Sequence, residues 1–168
     1  MQHDYDVEAL IAHMADELKA ALQAFPQDTV AMVGIHTGGV WIAERLHQQL
    51  NLALPLGTLD ISFYRDDFSR IGMNPQVKPS ALPVAVDEKH IVLVDDILHT
   101  GRTIRAAMNE IFDYGRPASI MLAVLGERRG RELPIQPDVA GTHIDLQANE
   151  HVKLSGPEKL ELNVTQIP

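Results

Sequence analysis

The sequence of 168 residues contains no cysteine, which excludes disulfides, thiolate nucleophiles and zinc sites with cysteine ligands. Basic residues are also few: 14 lysines and arginines stand against 23 aspartates and glutamates, giving a formal net charge of −9. A chain this acidic is not a general nucleic-acid coat, although a single basic face remains compatible with the composition.

Long hydrophobic runs are absent as well. No stretch approaches the roughly 20 apolar residues that span a bilayer. The acidic N-terminal segment MQHDYDVEAL has neither the charge nor the apolar core of a signal peptide. We therefore expect a cytoplasmic protein with no membrane partner. Apolar residues make up 45% and charged residues 22%, which is typical of soluble globular proteins, and we expect one domain over residues 1–168.

Hydrophobic periodicity predicts alternating helices and strands. Helical spacing covers residues 6–24, 40–50 and 102–114, and continuous apolar runs that indicate strands cover residues 29–35, 56–64, 91–94 and 119–125. This alternation predicts βαβ units in an α/β fold, with an open, mainly parallel twisted sheet flanked by helices. Residues 65–88 have no period and predict a long flexible loop. The alternating residues 159–164 predict an edge strand or a small subdomain.

The motif that carries chemistry is IVLVDDILHTGRT, residues 91–103. A buried strand delivers two adjacent carboxylates, Asp95 and Asp96, at the sheet edge where α/β proteins bind ligands. Thr100, Gly101 and Thr103 then lead into a helix N-terminus, whose free N–H groups and positive dipole end favour a phosphate. Carboxylates for ribose hydroxyls or a divalent ion thus lie one short loop from a phosphate cradle, which suits a ribose 5-phosphate.

The alternative interpretation of this motif is an ordinary strand-to-helix turn with a threonine cap. It explains the fragment Thr-Gly-x-Thr well and the whole motif poorly. Two other nucleotide-binding motifs are absent from the sequence. A Walker phosphate loop requires G-x-x-x-x-G-K-[ST], and a dinucleotide fingerprint requires G-x-G-x-x-G.

Residues 91–103 resemble the phosphoribosyl-pyrophosphate (PRPP) motif of the type I phosphoribosyltransferases. Three other stretches resemble the PyrR family within that class: LDISFYRDD at residues 59–67, GRPASI at residues 115–120 and RELPI at residues 131–135. PyrR proteins are bifunctional regulators of pyrimidine operons that also act as uracil phosphoribosyltransferases. The resemblance covers about residues 5–145. It implies a type I phosphoribosyltransferase fold with a C-terminal hood at about residues 126–168.

The resemblance implies roles for the residues of the PRPP motif. Asp95 and Asp96 would be the catalytic carboxylates, which meet the ribose 2′- and 3′-hydroxyls. The residues that bind PRPP and cradle its 5-phosphate would be Ile97, Leu98, His99, Thr100, Gly101, Arg102 and Thr103. For His99 itself, an exposed side chain that does not touch phosphate is the alternative.

The family's pyrophosphate loop corresponds to His36, Thr37, Gly38 and Gly39. Such loops often contain a cis peptide bond that does not precede proline; a simple helix-start turn is the alternative. Related sequences usually carry an arginine where this chain has Gly38, which leaves His36 as the nearby ionisable side chain. We therefore expect that Gly38→Arg strengthens PRPP binding.

Three further residues follow from the resemblance. Arg65 would begin the flexible loop and reach the pyrophosphate, or else be a solvated loop arginine. Arg128 would belong to the hood that recognises the base, and Ile144 would lie where backbone groups read a uracil edge. Magnesium would bind through PRPP oxygens and not in an all-protein site.

The resemblance also implies partners: PRPP, uracil, UMP, a pyrimidine-operon leader RNA, and further copies of the chain in a homodimer or higher homo-oligomer. We expect RNA binding to be weak, because the first 44 residues contain one lysine or arginine, Lys19, against seven acids. The remaining basic cluster is Arg128, Arg129 and Arg131, which could equally be a solvated turn or a phosphate contact. A nucleotide sensor that signals to a protein partner, with little catalysis or RNA binding, is the alternative function.

Overall fold

The computed structural model describes residues 4–61 and 80–168. Helices and strands alternate through most of the chain, as the hydrophobic periodicity predicts. The elements in chain order are α1 (Val7–Leu22), a 3-10 helix (Gln27–Thr29), β1 (Val30–Ile35), α2 (Gly38–Leu50), β2 (Gly57–Leu59), β3 (His90–Leu98), α3 (Arg102–Tyr114), β4 (Ser119–Arg128), β5 (Val139–Ile144), β6 (Glu150–Ser155) and β7 (Glu161–Gln166).

In the described part of the chain, the central sheet has five strands in the order β2-β1-β3-β4-β5, and all neighbours are parallel. All of β1 and residues 91–95 of β3 are buried, as expected for strands covered on both faces. The predicted α/β fold with an open, mainly parallel sheet flanked by helices is confirmed.

Alternate residues of the central strands pack into two separate cores, because neighbouring side chains of a strand point to opposite faces. Met32 of β1 and Val92 of β3 lie in the core beneath α1 and α2. Val33 and Leu93 lie in the core beneath α3. The sheet is therefore the middle layer of three, and its carboxyl edge stays open between the helices.

The C-terminal part departs most from the prediction. Residues 139–144 form β5, which hydrophobic periodicity did not reveal. Residues 159–164 were predicted as one edge strand or a small subdomain. The structure forms an antiparallel hairpin of β6 and β7 there, in which Val152 pairs with Val164. The hairpin joins the core beneath α1 and α2 through Val152, Leu154, Leu160 and Leu162.

Part of the predicted flexible loop is packed. Ala81 forms an isolated antiparallel bridge with Thr58 of β2, and Val86 is buried in the core beneath α3. The Ser80 hydroxyl accepts a hydrogen bond from Asp60 N at 3.1 Å and donates one to Glu110 Oε1 at 2.6 Å. These contacts attach residues 80–86 to the body of the domain. Among the described helices, none is long and apolar enough to span a membrane.

Candidate active site

The topology creates a crevice between the carboxyl ends of β1 and β3. From β1 the chain passes through α2 to β2 on one side, and from β3 it passes through α3 to β4 on the other. Pairing between β1 and β3 ends at Gly34 and Val94, whereas β3 stays paired with β4 as far as Leu98. Open α/β sheets bind ligands at such a switch in strand order.

Asp95 and Asp96 lie where β3 loses its pairing with β1, and their surroundings differ. Asp95 is 6% exposed, and its Oδ1 accepts a hydrogen bond from Asp96 N at 2.8 Å. Asp96 is half-buried, and its Oδ1 accepts from Ile97 N at 2.7 Å. These local bonds offset part of the cost of burying charge and hold both carboxylates at the crevice.

The turn predicted as the pyrophosphate loop lies against these two aspartates. It follows β1 and begins α2, and the peptide bond between His36 and Thr37 is cis. A Cβ atom at Gly38 would lie 2.3 Å from Asp96 Oδ2, and one at Gly39 would lie 2.6 Å from the Val94 carbonyl oxygen. Glycine is therefore required for this close approach of α2 to β3.

The same distance corrects our expectation for Gly38→Arg. An arginine adds a cation to the turn, but its Cβ cannot occupy the observed position unless the Asp96 carboxylate moves. The substitution therefore perturbs one of the carboxylates that the added charge was meant to assist. Comparing the residue at position 38 with that of related sequences cannot reveal this contact, because Gly38 and Asp96 are 58 positions apart along the chain.

The residues predicted to cradle a phosphate connect β3 to α3. Ile97 and Leu98 still belong to β3, and Gly101 adopts a φ of 95° as the residue before α3, a conformation that favours glycine. Thr100 Oγ1 accepts a hydrogen bond from Arg102 N at 3.1 Å. Thr103 lies in the first turn of α3. This loop and the positive end of the helix dipole form a ready anion site.

Two side chains of this loop contact other parts of the protein. The Arg102 Nε atom pairs with Glu132 Oε1 at 2.9 Å, at the exposed surface. His99 is exposed and lies against Gly130, where a Cβ atom would be 2.8 Å from His99 Nε2. Partial burial lowers the pKa of His99 below its ordinary value of 6.5. The Arg128 and Arg131 guanidiniums lower this pKa further, and Glu132 opposes them.

The two residues predicted for the base hood are brought together by the sheet. Arg128 at the end of β4 is the register partner of Ile144 at the end of β5. A cavity of about 320 Å³ opens beside them and is lined by Glu127, Arg128, Arg129, Gly130, Arg131, His143, Ile144 and Asp145. Arg128 Nε is buried there without a hydrogen-bond partner in the described structure. A buried donor without a partner is unusual and needs an explanation, such as a role in binding.

Arg65, predicted to begin the flexible loop, lies outside the described residues. The basic cluster predicted from the sequence is already paired in part. Arg131 forms an ion pair with Glu127, and Arg129 Nε lies 3.6 Å from Asp145 Oδ1. The three arginines therefore do not form one free basic patch.

A contribution that sequence reasoning missed comes from the RELPI segment, residues 131–135. Glu132 N and Leu133 N donate hydrogen bonds to the Thr100 carbonyl oxygen at 2.9 and 3.1 Å. A Cβ atom at Gly101 would contact Ile135 and Leu133 at 3.4 Å. The segment is thus packed behind the phosphate loop. The resemblance of this segment to the family is a signal in the sequence, but the sequence alone does not show which residues the segment touches.

The donor set suits a magnesium ion that arrives with its substrate. Asp95 and Asp96 supply carboxylate oxygens at the crevice, and across residues 4–61 and 80–168 no group of three or more histidines, aspartates or glutamates could hold a metal by itself. Mg²⁺ characteristically keeps several waters and binds one or two carboxylates together with phosphate oxygens. The two aspartates therefore fit magnesium bound together with a phosphorylated substrate.

Comparisons with known proteins agree with this site. The model of the phosphoribosyl transferase domain matches residues 3–155. The chain is 57% identical over 164 residues to the bifunctional protein PyrR of Nitrosococcus oceani, covering 96% of this chain and 93% of that protein. It is 56% identical over 153 residues to the bifunctional protein PyrR of a Pseudomonas aeruginosa strain, covering 91% and 90%.

A solved structure with a similar fold is the purine phosphoribosyltransferase of Pyrococcus horikoshii, with a TM-score of 0.61, 25% identity and 82% of each chain covered. The domain match spans most of the chain, including both loops of the crevice. The PyrR relatives align over nearly their whole length. The chain therefore belongs to the phosphoribosyltransferases, and within them to the family of bifunctional PyrR proteins.

Proposed function

We propose that this protein transfers a phosphoribosyl group from PRPP to uracil, forming UMP and pyrophosphate. The observation that carries the proposal is the position of Asp95 and Asp96 at the switch point, between the phosphate loop and the turn at residues 36–39. PRPP carries a 5-phosphate, two free ribose hydroxyls and a pyrophosphate. The crevice offers a group of matching chemistry for each of them.

In the proposed reaction, the C1′–O bond to pyrophosphate breaks and the electron pair leaves with pyrophosphate. N1 of uracil bonds to C1′ and gives up its proton to solvent. Positive charge develops on the ribose ring, so the carboxylates of Asp95 and Asp96 stabilise the transition state while orienting the ribose hydroxyls. The N–H groups of the phosphate loop hold the 5-phosphate, and those at Gly38 and Gly39 face the leaving group. Magnesium bound with PRPP supplies neutralising charge for the leaving pyrophosphate.

The cavity beside Arg128 and Ile144 is the proposed base site. Uracil presents carbonyl oxygens and N–H groups on its edge, so it needs both donors and acceptors from the protein. The buried Arg128 Nε can donate to a carbonyl oxygen, and the backbone at Ile144 supplies a further polar edge. This pairing favours a small polar base over an apolar ligand.

The second proposed activity is regulation of pyrimidine genes through transcriptional attenuation, in response to UMP and PRPP. Membership of the PyrR family supports it, and the proposed site would bind both UMP and PRPP. We propose further that the protein acts in the cytoplasm as a homodimer or a higher homo-oligomer.

The alternative, a nucleotide sensor that acts through a protein partner, is favoured by the surface charge of α1. The exposed charged residues of this helix are Glu8, Asp16, Glu17 and Lys19. His13 Nε2 pairs with Glu17 at 2.8 Å. An acidic face of this kind repels RNA phosphates and does not prevent contact with another protein.

A base-selection assay tests the proposed transfer. Purified protein is incubated with PRPP and Mg²⁺ together with uracil, cytosine, hypoxanthine or adenine, and pyrophosphate and nucleotide are measured. We expect product with uracil and little with either purine. A second arm titrates UMP and GMP by calorimetry. Product with a purine base alone would contradict the assignment of uracil, and UMP binding without turnover would favour the sensor.

A further inference from the structure

The carbonyl groups of the phosphate loop point toward the RELPI segment. Arg131 Nη1 donates to the His99 carbonyl oxygen at 2.6 Å. The Thr100 carbonyl oxygen accepts from the backbone N–H groups of Glu132 and Leu133. Two consecutive carbonyls of the loop are therefore held by residues that lie about 30 positions further along the chain.

This arrangement fixes the direction of the loop's N–H groups. In a trans peptide the C=O and the following N–H point in opposite directions. When the His99 and Thr100 carbonyls face the RELPI segment, the N–H groups of Thr100 and Gly101 must face the other way. Neither N–H has a hydrogen-bond acceptor in the described part of the chain. They can therefore donate to an anion on the side away from the RELPI segment.

Arg131 also reaches the proposed base site. Its Nη2 atom forms a short ion pair with Glu127 Oε1, and its Nη1 atom lies 3.3 Å from the Arg128 carbonyl oxygen. The side chains of Arg131 and Glu127 are 22% and 19% exposed. A charge-assisted contact that is largely shielded from water is stronger than a surface ion pair.

We propose that Arg131 is a positioning residue that holds the phosphate loop at a fixed distance from the base cavity. The inference rests on the proposed function, because it presumes that one ligand occupies both places. The guanidinium acts through its protein partners: it directs its N–H groups to the His99 and Arg128 carbonyls and to the Glu127 carboxylate. Removing it takes away the side-chain link from the His99 carbonyl to Glu127 at the end of β4, while the backbone bonds from Glu132 and Leu133 to the Thr100 carbonyl remain.

The test compares inorganic phosphate, which needs only the phosphate loop, with UMP, which needs both the phosphate loop and the base cavity. Arg131→Met and Arg131→Lys are measured beside Arg116→Met, an exposed arginine that follows α3 far from the carboxyl ends of the strands. Calorimetry gives the affinity for inorganic phosphate and for UMP, and steady-state kinetics gives kcat and KM for PRPP and uracil. Circular dichroism and Tm confirm that each variant is folded.

We expect Arg131→Met to weaken UMP binding about tenfold or more and inorganic phosphate less than about threefold, since a tenfold change is a typical loss for one charge-assisted contact. Arg131→Lys should recover part of the loss, because one ammonium can reach one of the partners. Arg116→Met should match the unaltered protein.

Unchanged UMP affinity in folded Arg131→Met would overturn the positioning role alone. Equal weakening of UMP and inorganic phosphate would also overturn it, since that pattern indicates a direct phosphate ligand. If the unaltered protein bound no UMP, both the proposed function and this role would be overturned. If Arg131→Met does not fold, the same criteria are applied to Arg131→Lys.

Discussion

At the scale of single residues, the contact between the first turn of α2 and Asp96 sets a geometric limit on the site. A Cβ atom at position 38 would lie 2.3 Å from Asp96 Oδ2 and 2.9 Å from its Cγ. A side chain at this position therefore costs displacement of a carboxylate, whatever charge it carries. Loss of position at a reacting centre is expensive even when it amounts to about 1 Å.

Comparison of Gly38→Ala with Gly38→Arg separates the steric effect from the charge effect. We expect Gly38→Ala to lower kcat/KM for PRPP by about 10- to 100-fold, because it displaces Asp96. Gly38→Arg should then show KM for PRPP up to about fivefold lower than Gly38→Ala, the range of an exposed charge pair. Wild-type kcat/KM in Gly38→Ala would show that Asp96 moves aside at no cost.

A second prediction at this scale concerns His99. Burial and the Arg128 guanidinium hold its pKa in the folded protein below the ordinary value of 6.5. The unfolded chain therefore binds this proton more readily, and as pH falls through 6.5 the residue's contribution to the free energy of unfolding decreases. The free energy of unfolding is measured with urea at pH 8 and at pH 5.5. Its decrease between these two pH values should be smaller for His99→Gln than for the unaltered protein.

The NMR titration of the His99 ring gives an independent measurement of the same pKa. We expect a midpoint below 6.5. A midpoint above that value, together with equal loss of stability in His99→Gln, would contradict the account of its surroundings.

At the scale of elements, the β6–β7 hairpin is fixed to α2 by Arg45. Its Nη2 atom donates to the Pro157 and Glu158 carbonyl oxygens at 2.9 and 3.1 Å, and its Nη1 atom donates to the Trp41 carbonyl oxygen at 3.1 Å. Trp41 also lies beneath the turn of the hairpin, where a Cβ atom at Gly156 would be 2.9 Å from Trp41 Cε3. One arginine thus joins the helix that follows the pyrophosphate turn to the hairpin.

We expect Arg45→Met to accelerate amide hydrogen exchange in β6 and β7 by about 10- to 100-fold, because hydrogen bonds from a charged donor are lost and local opening becomes easier. Exchange in β1 and β3 should not change. Arg116→Met, which removes an exposed arginine elsewhere, serves as the matched control. Unaltered exchange in the hairpin would show that its apolar contacts alone hold it.

How far each strand depends on its neighbours determines whether it could be predicted from the sequence. Strands β1, β3 and β4 are buried on both faces, so their apolar runs were visible without knowledge of their partners. Strand β5 reads VAGTHI, with a glycine and mixed burial, and it is defined by pairing with β4. Strand β6 likewise needs β7 to form. Elements that depend on a neighbour leave a weaker pattern in the sequence.

In the candidate site, too, contiguous residues could be predicted and contacts between distant residues could not. The PRPP motif could be recognised because Asp95, Asp96 and the phosphate loop are contiguous in the chain. The bond from Arg131 to the His99 carbonyl joins residues 32 positions apart, so nothing local in the sequence records it. The sequence therefore indicates the groups proposed to touch a ligand, and it does not indicate the residues that hold those groups in place.

At the scale of the whole molecule, charge limits the protein's affinity for RNA. The net charge is −9, and Arg131 and Arg129 are paired with Glu127 and Asp145. Each phosphate that a free cation neutralises adds about 0.7 to 0.9 to the salt slope of the binding constant. Since two of the three arginines of the basic cluster are paired in the part of the chain that the structure describes, we expect a slope no steeper than about −2.

Filter binding with the organism's own pyrimidine-operon leader, at several salt concentrations and with UMP added, measures this slope. Weak binding is the expected result. Submicromolar affinity at physiological salt that increases with UMP would contradict the expectation and place regulation through RNA ahead of catalysis.

We propose that Asp95 and Asp96 form the catalytic centre of a uracil phosphoribosyltransferase. Asparagine at both positions keeps the shape of the side chains and an oxygen that can accept the hydrogen bonds from Asp96 N and Ile97 N, while it removes the charge. Asp113→Asn, on the exposed surface of α3, is the matched control for loss of an acid.

The most direct measurement is UMP formation from uracil and PRPP by the unaltered protein, by Asp95→Asn/Asp96→Asn and by Asp113→Asn. We predict that the double variant folds and loses about 100-fold or more in turnover, the scale expected when a preorganised charge is removed from a transition state. Asp113→Asn should keep full activity. Wild-type turnover in the folded double variant would contradict the account.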